Sequence, residues 1–204
     1  MSVTLLKCFL LLACAAHLTL LHCDRIITLL DGGRFDFRAL NDNEKLSAVM
    51  GDTPLERPMR SMVLGAFAMT EAFPGYLVLG VWMLPQSPVC GALMLAGGIL
   101  FLLSGVAHHV FCGAVEWFLS AHEQDRRGVG CHREVFQENI RDDVRLLCWI
   151  ADLCGIVLCR CCRGDDGAAV FNTLPLFLLL SPFHIVGTGN IANAVMFAGL
   201  FFLI

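Results

Sequence analysis

The chain has 204 residues, of which 57% are hydrophobic and 16% charged, with a formal net charge of -4 at pH 7. Soluble domains carry roughly 45–50% apolar and about 25% charged residues, so this balance excludes an ordinary soluble domain and points to a membrane protein. The charges form mixed-sign loops without a basic block, which leaves no electrostatic footprint for nucleic acid.

Residues 5–23 are the first apolar run, with Lys7 its single charge and Asp24 and Arg25 directly behind it. Ala13-Cys14-Ala15-Ala16 offers the small residues of a signal-peptide or lipoprotein processing site. The amino end is weakly basic, however, and the apolar run continues to Leu21, so an uncleaved first span is expected. From Asp24 to Arg60 the chain is polar, and Asp42 or Asn43 is placed to cap a short helix ending near Gly51. Residues 61–83 form a second span with Glu71 close to its midpoint; Pro74 follows, and a proline inside a helix frees a backbone carbonyl beside that carboxyl.

A turn with Pro85 and Pro88 leads into the apolar stretch from Pro88 to His122, interrupted by His108, His109 and Glu116. A span needs about 20 residues, so this stretch is too long for one crossing and too short for two. A span at 89–110 is expected, followed either by a helix that protrudes from the membrane or by a break near Gly113. Further spans are expected at 144–160, around Asp152, and at 168–184 and 188–204, joined at His184. The fold class is therefore all-α: a polytopic membrane helical bundle of about six transmembrane helices forming one integral membrane domain over 1–204, with a polar loop at 24–60. With the amino terminus outside, the loops on the cytoplasmic face hold most of the lysine and arginine, and 24–60 lies in the cytoplasm.

Of the 11 cysteines, Cys8, Cys14, Cys90, Cys112, Cys148 and Cys154 fall inside apolar runs, where cysteine acts as a small hydrophobe; a disulfide framework is not expected. The cluster Cys159-Arg160-Cys161-Cys162 lacks the second cysteine pair of a metal knuckle and receives no role.

The chemistry concentrates on one helix face. Ser104, His108, Cys112, Glu116 and Ser120 recur every fourth residue, and His109 shares a face with Cys112 and Glu116. Lipid cannot satisfy such a seam, so it faces the bundle interior. Glu71, Asp152 and His184, each alone in an apolar run, are the candidates to meet it. Histidines and carboxylates from several helices are what a catalytic zinc site uses, with an open position for a water that the metal makes nucleophilic and a carboxylate deprotonates. The metal-ligand candidates are His108, His109 and His184; the catalytic candidates are Glu71, Glu116, Asp152 and Ser104.

Ser104-x-x-x-His108, a separate Asp152 and a late His184 resemble the pattern of the alkaline ceramidase-like superfamily of intramembrane hydrolases. The resemblance implies His108 and His184 as zinc ligands, with Ser104 and Asp152 beside the water. It covers these positions alone: the family's terminal histidine pair is broken here by Thr188, four residues after His184, and the family has seven spans. Two functions follow from the residues. One is metal-dependent hydrolysis of a lipid within the membrane; the other is a small transporter in which Glu71 and the histidines relay protons or hold a small molecule. A non-catalytic scaffold, whose polar residues only set helix packing, is the third.

Overall fold

The computed structural model describes residues 2–35, 42, 45, 49–50, 53–124, 173–183 and 185–204. Their order is α1 (Val3–Thr28), a hairpin of two short strands β1 (Leu29–Leu30) and β2 (Gly33–Arg34), α2 (Glu56–Met83), α3 (Pro88–Gln124), α4 (Thr173–Leu180) with a 3-10 turn at Ser181–Phe183, and α5 (Thr188–Leu203). The all-α expectation holds. α1, α2 and α3 are long and apolar enough to cross a membrane. α5 is apolar but has 16 residues, shorter than the usual span of about 20. The span expected at 144–160, with Asp152, lies outside the described residues, as does His184.

The polar connection is shorter than 24–60, because both flanking helices run into it. α1 starts on a Ser2 cap, whose Oγ accepts the Leu5 N–H at 3.2 Å, and continues past Asp24 and Arg25 to Thr28. α2 begins at Glu56, and its Arg57 closes the end of α1. The Arg57 guanidinium donates to the Ile26 carbonyl at 3.0 Å, to the Leu29 carbonyl, and to the exposed Asp31 carboxylate at 3.1 Å. Carbonyls at a helix C-terminus lack intrahelical partners and carry partial negative charge, so a guanidinium there serves both needs. Within the connection, Asp42 accepts the Lys45 N–H at 3.2 Å, the N-cap geometry expected of it.

α2 and α3 form an antiparallel hairpin in which glycines admit side chains from the opposite helix. Gly91, Gly98, Gly105 and Gly113 of α3 face Leu84, Tyr76, Met69 and Met62, stepping every seventh or eighth residue in opposite directions along the two helices. The exchange is mutual, since Gly80 and Gly65 of α2 face Leu95 and His109. Lipid gives no hydrophobic reason for helices to associate, so close approach at small residues supplies the packing energy. Gly113 is one of these contacts, and α3 passes through it as one 37-residue helix rather than breaking there.

α1 and α5 pack on the other side of α2. Leu6, Leu10, Ala13 and Ala16 of α1, Ala72, Tyr76, Leu79 and Met83 of α2, and Met196, Phe197 and Leu200 of α5 form one buried cluster. The tightest approach is at Gly75, where a methyl would collide with Ala13 and sit 3.1 Å from the Phe9 carbonyl oxygen. Cys90, in the first turn of α3, packs against this cluster and is disulfide-bonded, which corrects the expectation of a plain hydrophobe.

At the opposite end, Leu30, Phe35 and Met50 form a small buried cluster against Leu119 of α3. The hairpin and the connection therefore pack on Leu119, in the part of α3 that the length count left unexplained.

Replacing Gly75 with leucine forces α1 and α2 apart and is expected to cost about 1–3 kcal/mol, the usual penalty of overpacking. Gly189, in the first turn of α5, has open space around it, and alanine there is expected to stabilise by up to about 1 kcal/mol through helix propensity. Thermal unfolding in detergent micelles checks both; equal midpoints for the two variants would contradict the packing described.

Candidate functional site

Two polar assemblies lie inside the bundle. In the first, every group has a partner. His17, in the middle of α1, is fully buried. Its Nε2 lies 2.8 Å from the Tyr76 hydroxyl of α2, and its Nδ1 lies 2.9 Å from Oδ1 of Asn190 in α5. The Asn190 amide nitrogen donates to Asp24 Oδ2 at 2.8 Å. The donor order follows from chemistry. An ionised carboxylate only accepts, so the amide N–H of Asn190 faces Asp24 and its carbonyl oxygen faces His17. In the neutral imidazole, Nδ1 then carries the hydrogen, and the Nε2 lone pair accepts the tyrosine O–H. All three hydrogens point towards Asp24, and three helices are joined through groups that lipid could not satisfy.

Aromatic rings enclose this chain. Phe197 stacks on the His17 ring with centroids 5.8 Å apart and planes 18° from parallel, while Tyr76 meets Phe197 edge-on at 4.9 Å. Gly187 precedes α5 with φ of 73°, a left-handed conformation in which a side chain would be strained. A side chain there would also meet Leu21 and lie 3.0 Å from Asp24 Oδ2. This turn therefore brings Asn190 to both of its partners.

The second assembly is the seam on α3, and there the partners are missing. Glu116 and Ser120 are fully buried and His109 is 4% exposed. His109 Nδ1, both carboxyl oxygens of Glu116 and Ser120 Oγ have no hydrogen-bond partner among the described residues. The His109 ring lies over Gly65, where a methyl would approach its Nδ1 to 2.7 Å. Glu116 and Ser120 lie at the end of α3 where the Leu30, Phe35 and Met50 cluster covers it. Arg57 acts electrostatically on Glu116, while three of its five N–H donors go to the end of α1 and to Asp31.

The remaining candidates separate. His108 sits beside His109 with ring centroids 5.9 Å apart, and its ring nitrogens lie 3.6 and 3.7 Å from Cys112 Sγ. Ser104 donates its hydroxyl to the Leu100 carbonyl at 2.8 Å, the local bond of a serine within a helix. Glu71 is exposed on the outer face of α2, whereas Ala72, Gly75 and Tyr76 are buried. It therefore does not meet the α3 seam, because Met62, Gly65, Met69, Tyr76 and Gly80, which pack on α3, lie on the other side of the helix. Asp152 and His184 are outside the described residues, so their convergence with the seam is not shown. Among the described residues, no three histidine, cysteine or acidic side chains are grouped as a metal site would need.

The first assembly was largely hidden in the sequence. His17 is one histidine in an apolar run, Tyr76 one tyrosine beside a glycine, and Asp24 sits where a flanking charge belongs. Asn190 was readable as an amide linking helices, but not which helices it joins.

Asn190→Leu strands the His17 Nδ1–H and the Asp24 carboxylate together and is expected to destabilise by about 1–3 kcal/mol for each stranded group. Tyr76→Phe keeps the ring packing, loses one bond and is expected to cost about 1 kcal/mol. Denaturant or thermal unfolding of the two variants in detergent checks the order; Tyr76→Phe costing as much as Asn190→Leu would count against the donor chain. No family model, curated protein or solved structure matches the chain.

Proposed function

We propose that this multi-pass membrane protein relays protons along the interior face of α3, with Glu116 as the group that takes up and releases the proton. The observation that carries this is the burial of Glu116 with neither carboxyl oxygen paired among the described residues, on the stripe where Ser120 Oγ and His109 Nδ1 are also unpaired among them. A buried polar atom without a partner costs about 1–3 kcal/mol, and a buried charge more. A bundle that joins His17, Tyr76, Asn190 and Asp24 without a loose end has the means to satisfy polar groups. Four unpaired atoms on one stripe therefore support a site built for something mobile.

The types and spacing suit a relay. Carboxyl and imidazole groups both exchange protons, and a hydroxyl both donates and accepts. Ser120 and Glu116 are four residues apart on one helix face and are neighbours. His109 lies seven residues from Glu116, about 10 Å along the axis, a gap that water must bridge. Ser120 marks the end covered by the hairpin cluster, and His109 marks the end deeper in the bundle. The path then runs from the membrane boundary inwards.

The test is proton flux. The full chain is reconstituted in vesicles holding a pH-sensitive dye, and a potassium gradient with valinomycin sets the potential. Flux above that of empty vesicles is expected, with Glu116→Gln lowering it about a hundredfold, at the lower end of what a positioned proton carrier contributes. Ser120→Ala is expected to give a smaller loss, and Glu71→Gln none. Wild-type flux equal to that of empty vesicles, or unchanged by Glu116→Gln, would overturn the proposal.

A further inference from the structure

Glu71 has a different problem from Glu116: it is exposed rather than buried, and its surroundings are apolar. It lies near the middle of the 28-residue α2, a helix long and apolar enough to cross a membrane. Its neighbours on that outer face are Val63, Leu64 and Phe67, which are 51%, 36% and 67% exposed. Thr70, beside it, turns its hydroxyl back to the Ala66 carbonyl at 2.9 Å. Glu71 makes no hydrogen bond or ion pair with the described residues. An acidic side chain facing lipid at this depth is costly, about 2.5–3.5 kcal/mol on insertion scales, and such residues are held where a partner covers them.

Among the described residues, no lysine or arginine pairs with it. Between Ser61 and Gln124, and again from Gly167 to Ile204, the sequence has no lysine or arginine, and Leu146 to Cys159 has none either. Within the first apolar run the one lysine or arginine is Lys7, near the start of α1, with its ammonium 5.5 Å from the centre of the Phe201 ring. A second copy has the same lack, and a symmetric pairing of two α2 helices would set Glu71 against Glu71.

We infer that the outer face of α2, with Glu71 at its centre and Phe67, Leu64 and Val63 beside it, docks a membrane-spanning helix of another protein that carries a lysine or arginine at mid-span. Ion pairing removes the cost of both charges at once. Each helix inserts with one uncompensated charge and gains by meeting the other. The apolar side chains around Glu71 supply the contact, and the carboxylate selects the partner by charge.

The experiment uses the full chain in lipid vesicles with a donor fluorophore and three synthetic leucine-rich single-span peptides, each carrying an acceptor. The peptides differ at the central residue: lysine, leucine or glutamate. Energy transfer is expected to show the lysine peptide associating about tenfold more tightly than the leucine peptide, in the range of polar contacts between membrane helices, and the glutamate peptide no more tightly than leucine. Glu71→Gln is expected to reduce the lysine peptide to the leucine level while leaving the unfolding temperature of the chain unchanged. Glu116→Gln is expected to keep the preference, which separates this face from the α3 interior. Equal association of the three peptides, or a lysine preference that survives Glu71→Gln, overturns the inference. So does Glu71-dependent association of the chain with itself, since the occupant is then a second copy.

Discussion

A membrane interior offers no water, and the structure depends on how α1, α2 and α5 answer that constraint. The Tyr76, His17, Asn190 and Asp24 side chains satisfy one another through three hydrogen bonds of 2.8–2.9 Å. No helix could do this alone. His17 needs a donor from one neighbour and an acceptor from the other, and Asp24 needs the amide that α5 carries. The hydrogen bonds therefore specify which faces meet, and Phe197 and Tyr76 then fill the space around the imidazole. Packing of Leu10, Ala13, Ala72 and Leu200 follows in the same layer.

α3 joins by another means. It meets α2 through an exchange of glycines for large side chains. That difference in attachment bears on function. Where α1, α2 and α5 meet, polar groups are consumed in holding the bundle. Along the buried seam of α3 they are left over, at His109, Glu116 and Ser120. A close glycine seam keeps lipid out without using up those groups. Arg57 sharpens the contrast: three of its N–H donors go to Ile26, Leu29 and Asp31, closing α1.

Two glutamates that look alike in the sequence thus have opposite situations. Each interrupts an apolar run. Glu116 is fully buried by its own chain, one turn before Leu119, which packs on Leu30, Phe35 and Met50. Glu71 is exposed on α2, opposite the side that packs on α3. One is suited to an exchangeable proton in a closed interior, the other to recognition of a charge arriving from outside.

Hydropathy and residue spacing by themselves determined that the chain is helical and membrane-embedded, where α1, α2 and α3 run, and that Ser104 to Ser120 form one polar stripe. Those features are local, set by the apolar length of a segment and by the 3.6-residue turn. Three things were decided only by tertiary structure. The overlong α3 is one continuous helix, and its Leu119 packs on Leu30, Phe35 and Met50 from far earlier in the chain. Glu71 faces away from the seam, because the glycine exchange sets how α2 is rotated against α3. His17 belongs with Asn190, because a lone histidine and a lone asparagine at opposite ends of the sequence reveal their pairing only when two helices stand side by side.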